Sequence, residues 1–263
     1  MITVRTIATH HANVQCLEGG SGADLVFLHD AGGVTPAHPF LLRLSERFCV
    51  HAPLLPGFGG SDDAPSVRDM LDVTLHCFDV IEALGLSRPL LVGHSLGGMI
   101  ASEMAAVAPN DVERLCLIAP AGLWLDEHPI PDVFSMLPAQ FPPLLFHDPE
   151  AGAAMMTAGV RMDDPAFLIP FLVTNARQLG MAGKFLFPIP ERGLHERLYR
   201  IKARTMLLWG QSDRLIPLAY AEAFRAGIAG AELVVLPEAG HMVTLEQPEA
   251  VAAAIARFGA APG

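Results

Sequence analysis

The stretch Pro89-Leu90-Leu91-Val92-Gly93-His94-Ser95-Leu96-Gly97-Gly98-Met99-Ile100-Ala101-Ser102-Glu103-Met104 decides the fold. Its first four residues form a short apolar run of strand type, and residues 95–104 carry the small and apolar side chains of a buried helix. Between them lies a G-x-S-x-G, Gly93 to Gly97, with a serine where strand passes sharply into helix. Such a turn presents the hydroxyl at the sheet edge, and the glycines two positions away leave room for the strained backbone. The helix that starts here aims its free N–H groups and positive dipole end at the same point, which favours a negative oxygen. Strand before and helix after make Ser95 a candidate nucleophile rather than a chance match in a glycine-rich chain.

The alternation continues on both sides of this unit. Residues 3–9 and 13–17 predict two strands joined as a hairpin, and 24–28 a strand followed by a helix at 40–48. A strand at 49–52 ends in the turn-rich segment 56–62, and 67–84 has helical spacing; 112–118 is a further apolar strand. From 122 to 200 the rhythm fails: Pro129, Pro131, Pro138, Pro142, Pro143 and Pro149 interrupt it, while 134–137 and 167–173 look helical. It resumes with a strand at 205–209, a helix at 218–226, a strand at 232–236 and a helix at 249–258. Continuous apolar strands alternating with helices predict an α/β fold, a mostly parallel central sheet with helices on both faces. The core is expected over 1–121 and 201–263, with 122–200 an inserted helical lid.

A serine needs a base, and the base an orienting acid, both delivered at strand ends. Asp213 follows the strand ending at Trp209, and His241 lies in the loop after the next strand. Histidine suits the base role because its ordinary pKa, about 6.5, lets it take and return a proton near neutrality. Asp126, beyond the preceding strand, is a rival for the acid. Other histidines, among them His10, His11, His38, His51, His76, His128, His147 and His195, read as surface or core residues, and His94 as packing behind the elbow.

The chain resembles the α/β-hydrolase family, in its serine-nucleophile subgroup with a helical lid. Ser95, Asp213 and His241 stand in the family's order, and Leu28-His29-Asp30-Ala31-Gly32-Gly33, Leu55-Pro56-Gly57-Phe58-Gly59-Gly60-Ser61 and Glu246-Gln247-Pro248-Glu249 match further pieces. The resemblance implies that the backbone N–H groups of Ala31 and Leu96 form an oxyanion hole, each donor worth about 3–4 kcal/mol to the transition state. One position departs from the pattern: the family commonly has His-Gly where this chain has His29-Asp30. Asp is among the few non-glycine residues that visit positive φ. A carboxylate there would repel an oxyanion, so Asp30 either points away from the hole or contacts a polar substrate group.

Composition narrows the partners. The 263 residues hold 17 Lys+Arg against 28 Asp+Glu, a net charge of −11, and 51% are hydrophobic. That is enough for a large core and excludes disorder. Acidic charge without a basic run argues against nucleic acid and anionic membrane, and no apolar stretch is long enough to span a bilayer. Cys16, Cys49, Cys77 and Cys116 form no C-x-x-C pair, which argues against a zinc site and a redox pair and for reduced core thiols in a cytoplasmic protein. Gly20-Ser21-Gly22 begins like a dinucleotide fingerprint, but Leu25 stands where the last glycine belongs and a strand follows. No P-loop or zinc helix is present, so neither cofactor nor metal is expected, and monomer and homodimer fit equally.

The lid's Phe134, Met136, Phe141, Met155, Met156, Met162, Phe167, Phe171, Met181, Phe185 and Phe187 either line an apolar acyl or aromatic pocket or pack on the core. Arg161, Arg177 and Lys184 are its sparse cations. The expected activity is hydrolysis of carboxylic esters of small, largely apolar substrates through an acyl-enzyme. Carbon–carbon bond hydrolysis and lactone opening use the same triad, although Met242 stands after the base where an aromatic would suit the former. A small-molecule receptor with little turnover is the reading from another class.

Overall fold

The computed structural model describes residues 1–157, 163–186 and 192–260. Strands β1 (Thr3–Ala8) and β2 (Asn13–Gly19) form the expected antiparallel hairpin. β3 (Ala23–Leu28), helix α1 (Pro39–Ser45), β4 (Phe48–Pro53), α2 (Met70–Ala83), β5 (Leu90–His94), α3 (Leu96–Val107) and β6 (Arg114–Ile118) then alternate. After a long excursion come β7 (Arg204–Gly210), α7 (Ala219–Gly227) and β8 (Glu232–Leu236). The strand order is β1-β2-β4-β3-β5-β6-β7-β8, with β2 antiparallel to both its neighbours and parallel pairing from β4 onward. This is an α/β-hydrolase fold.

Central strands β5 and β6 read as unbroken apolar runs because both their faces are covered; β5 is buried throughout. Helix α3 is buried on all sides from Leu96 to Ala106, which its Gly, Ala and Met content allows. Winding runs outward from β3 to β4 and then returns across the sheet to β5. The loops after β3 and β5 therefore face each other at the switch point, where open sheets place their ligands.

The segment between β6 and β7 is helical, as its sequence suggests, but the boundaries differ. Short 3₁₀ turns at Val133–Ser135 and Pro138–Gln140 lead into α4 (Pro142–Leu145), α5 (Pro149–Met156) and α6 (Pro165–Leu186), with a last 3₁₀ turn at Leu198–Arg200. Several prolines that break the periodicity stand at helix starts, where the missing N–H costs nothing. α6 runs 22 residues through Pro170, whose lost bond falls on an exposed part of the helix. α8 (Val243–Glu246), not foreseen, precedes α9 (Pro248–Ala260). Arg161, Met162 and Phe187 lie outside the described residues. Among the described residues no helix is long and apolar enough to cross a membrane, and all four cysteines are free thiols.

Candidate active site

Ser95 has φ 52° and ψ −112°, a conformation that costs a non-glycine residue about 1–3 kcal/mol and persists only where its surroundings over-determine it. They do so through the backbone: Ser95 N–H donates to the Ile118 carbonyl at 2.9 Å, and the Ser95 carbonyl accepts from Ala121 at 3.0 Å. The flanking glycines are required by close approach. A Cβ on Gly93 would lie 2.3 Å from the Gly97 carbonyl oxygen, and one on Gly97 would lie 2.1 Å from that of Leu28. Strand β5, helix α3 and strand β3 thus touch backbone to backbone around the serine.

Asp213 and His241 meet as the sequence suggests. His241 Nδ1 donates to Asp213 Oδ2 at 2.8 Å, and the other carboxylate oxygen accepts the N–H groups of Leu215 and Ile216 at 2.9 and 2.8 Å. Both side chains are buried. With Nδ1 committed as donor, Nε2 of the neutral ring is left as the proton acceptor. Burial pushes the His241 pKa down, but the charge and hydrogen bond of Asp213, with the charge of Asp30, outweigh it and hold it above 6.5. Asp126 takes no part in this pair: it is exposed and accepts from the Trp124 indole at 2.9 Å.

Asp30 is turned into the protein. Its Oδ1 accepts the Gly32 N–H at 2.5 Å and its Oδ2 lies 3.2 Å from His94 Nδ1, an oblique ion-pair contact. His94 Nε2 donates to the His241 carbonyl at 2.9 Å. A carbonyl only accepts, so Nε2 carries the hydrogen, and the Asp30 carboxylate faces the other ring nitrogen. Burial opposes the Asp30 charge, yet the contact with His94, the neighbouring His29 and the Gly32 N–H hold its pKa down at about 2. His29 fixes the same loop: Nδ1 donates to the Asp30 carbonyl at 2.7 Å and Nε2 accepts the Leu55 N–H at 3.0 Å. The backbone N–H groups of Ala31 and Leu96 have no partner among the described residues.

Further positioning comes from residues whose role the sequence did not disclose. Glu246 on α8 accepts the Gly240 N–H at 2.6 Å through Oε2 and the His147 N–H at 2.7 Å through Oε1. Gln247 donates to the Pro237 carbonyl at 2.7 Å, so the loop that carries His241 is held from behind. Their signal was the stretch after the histidine, matched as a piece and not assigned a task. Arg214 ties the loop after β7 to α4 through the carbonyls of Pro143 and Phe146. Arg177 is no free cation: it pairs with Asp63 at 2.7 Å and reaches the Gly59 carbonyl. Lys184 lies 5.9 Å from the Phe185 ring centre. Phe141 and Phe185 are buried, Met155 is exposed, and Met181 packs against Gly57.

The sequence profile of the alpha/beta hydrolase family matches residues 25–254. The chain belongs to that family. This hydrolase is 30% identical to a monoacylglycerol lipase of Mus musculus over 242 residues, covering 83% of this chain and 69% of the relative. It is 25% identical to a 2-hydroxy-6-oxo-6-phenylhexa-2,4-dienoate hydrolase of Burkholderia cepacia over 95% of this chain and 92% of that one. Among solved structures, a bacterial membrane phospholipase A superposes with a TM-score of 0.77 at 25% identity, covering 98% of this chain and 85% of the other.

Proposed function

We propose that this hydrolase cleaves carboxylic esters of small, largely apolar substrates through an acyl-enzyme on Ser95. His241 takes the Ser95 proton through Nε2, and Oγ attacks the carbonyl carbon. The N–H groups of Ala31 and Leu96 receive the oxyanion; His241 returns the proton to the departing alkoxide, and the alcohol leaves. Water, deprotonated by the same histidine, then releases the acid. Asp213 keeps the Nδ1–H tautomer and stabilises the ring while it is charged. In this reading residues 122–200 act as a cap over the substrate, and the four free thiols fit a reducing cytoplasm. The observation that carries it is the buried Asp213–His241 pair at 2.8 Å, whose histidine carbonyl is bonded by His94, the residue before a serine held at φ 52°.

The test is intact-mass spectrometry after a fluorophosphonate probe, with turnover of p-nitrophenyl acyl esters. One adduct, lost in Ser95→Ala, and steady ester turnover are the expected results. An absent adduct on folded protein, or a burst with no steady rate, would overturn the proposal, the latter in favour of a receptor.

The dienoate hydrolase of Burkholderia cepacia, matched along nearly the whole chain, favours carbon–carbon hydrolysis as a second reading. Turnover of a vinylogous diketo acid exceeding that of every ester in the panel would establish it.

A further inference from the structure

At the opposite end of the strands from Ser95, register gathers a second cluster on one face of the sheet. β2 pairs Glu18 with His51 of β4, and β3 pairs Asp24 with Cys49 of β4. Paired residues share a face, and so do residues two apart on a strand, so Cys16, Glu18, Asp24, Cys49 and His51 all point the same way. The His51 ring is buried among them. Its Nε2 lies 3.1 Å from Asp24 Oδ1 and 3.5 Å from Cys49 Sγ, while its Nδ1 lies 3.3 Å from Glu18 Oε1.

We propose that Asp24 Oδ1, Cys49 Sγ and His51 Nε2 form a binding site for a borderline-soft divalent cation, Zn²⁺ foremost, with Glu18 as the carboxylate that orients the histidine. Metal–ligand bonds of about 2.0–2.3 Å at tetrahedral angles place ligand atoms about 3.3–3.7 Å apart. The observed 3.1 and 3.5 Å to His51 lie within a few tenths of an ångström of that, and all three ligand atoms lie within 4.8 Å of one another. The donor set, one thiolate, one imidazole and one carboxylate, suits zinc rather than magnesium or calcium. Cys49 is half-buried and Asp24 exposed, which leaves a path for the ion and a fourth position for water.

The far side of the ring supports the assignment. A metal-bound histidine characteristically donates its other N–H to a carboxylate, and Glu18 occupies that place, itself steadied by Arg5 at 3.4 Å. Among the described residues two carboxylates face this histidine, and Arg5 pairs with one of them. Without a metal, burial and the charge of Asp24 push the Cys49 thiol up. An ion reverses that field and replaces the thiol proton on Sγ, which passes to solvent, while Nε2 offers its lone pair. Cys16 gathers with Glu18 and the same histidine in a second group and is not one of the three proposed ligands.

The test is titration of the purified full-length protein with Co²⁺ and, in competition, Zn²⁺. One equivalent of Co²⁺ should give a thiolate-to-metal charge-transfer band in the near ultraviolet, displaced by Zn²⁺, and Zn²⁺ should raise the melting temperature. Cys49→Ser should abolish the band and the thermal shift, Glu18→Gln should weaken binding by about 10-fold or more, and Cys16→Ser should leave both unchanged. Circular dichroism of each variant separates lost binding from lost folding, and near-isosteric Cys49→Ser carries the test if His51→Ala does not fold. No band in folded wild type, a band that survives Cys49→Ser, or one lost in folded Cys16→Ser would overturn the assignment. None of these readouts depends on the hydrolase chemistry.

Discussion

Replacing Asp30 separates its charge from its hydrogen bonds. A carboxyl held at about 2 instead of 3.8 contributes about 2 kcal/mol to stability at neutral pH. Because its folded pKa is depressed, that contribution is complete above about pH 5, about half gone by pH 3, and lost as pH falls through about 2. Asp30→Ala removes the charge and also strands the Gly32 N–H and the His94 ring, so the cost should be about 3–5 kcal/mol. Asp30→Asn is different. Its Oδ1 can accept from Gly32, and its amide can donate to Nδ1 of a neutral His94 that still donates from Nε2 to the His241 carbonyl. The cost should fall to about 1 kcal/mol.

Urea denaturation of wild type and both variants at pH 7, and of wild type and Asp30→Asn in steps down to pH 3, measures these differences. The gap between wild type and Asp30→Asn should narrow with falling pH. An Asn variant as unstable as the Ala variant, or a gap that does not change with pH, would refute the contribution of the ionised, hydrogen-bonded Asp30 carboxylate to stability.

Ser95→Ala and His241→Ala should each lower kcat by on the order of 10⁶-fold with native far-UV circular dichroism, and the double variant should lose little more. Activity should rise with pH along a limb whose midpoint lies above 6.5, since His241 acts neutral and its pKa is held up; a flat kcat/KM across neutrality would remove it as the base. Asp213→Asn should cost on the order of 10⁴-fold in kcat, while Asp126→Asn should match wild type in the same assay. Glu246→Ala strands the Gly240 N–H and should cost about 1–3 kcal/mol by thermal denaturation.

What could be read from the residues and what could not divides along a physical line. The strained turn at Ser95 and the meeting of Asp213 with His241 were legible because each of the three follows an apolar strand, and strand ends in a parallel sheet converge on one edge whatever lies between them. Asp126 also follows a strand, and sequence order could not separate it from Asp213. The distinction is in the backbone just after β7, where the Leu215 and Ile216 N–H groups turn toward Asp213 and fix its carboxylate at His241. Prolines misled the reading of residues 122–200 because the same residue that breaks a helix interior also begins a helix, and here several do the latter. The Asp24, Cys49 and His51 cluster was invisible for a stronger reason. The sequence offered no C-x-x-C spacing, and spacing along one chain segment is the wrong variable when the donors come from adjacent strands. Pairing β3 with β4 sets Asp24 beside Cys49, and pairing β2 with β4 sets Glu18 beside His51. A shift of either pairing by one residue would send those side chains to the opposite face, so the site is a property of register, which appears only once the sheet has formed.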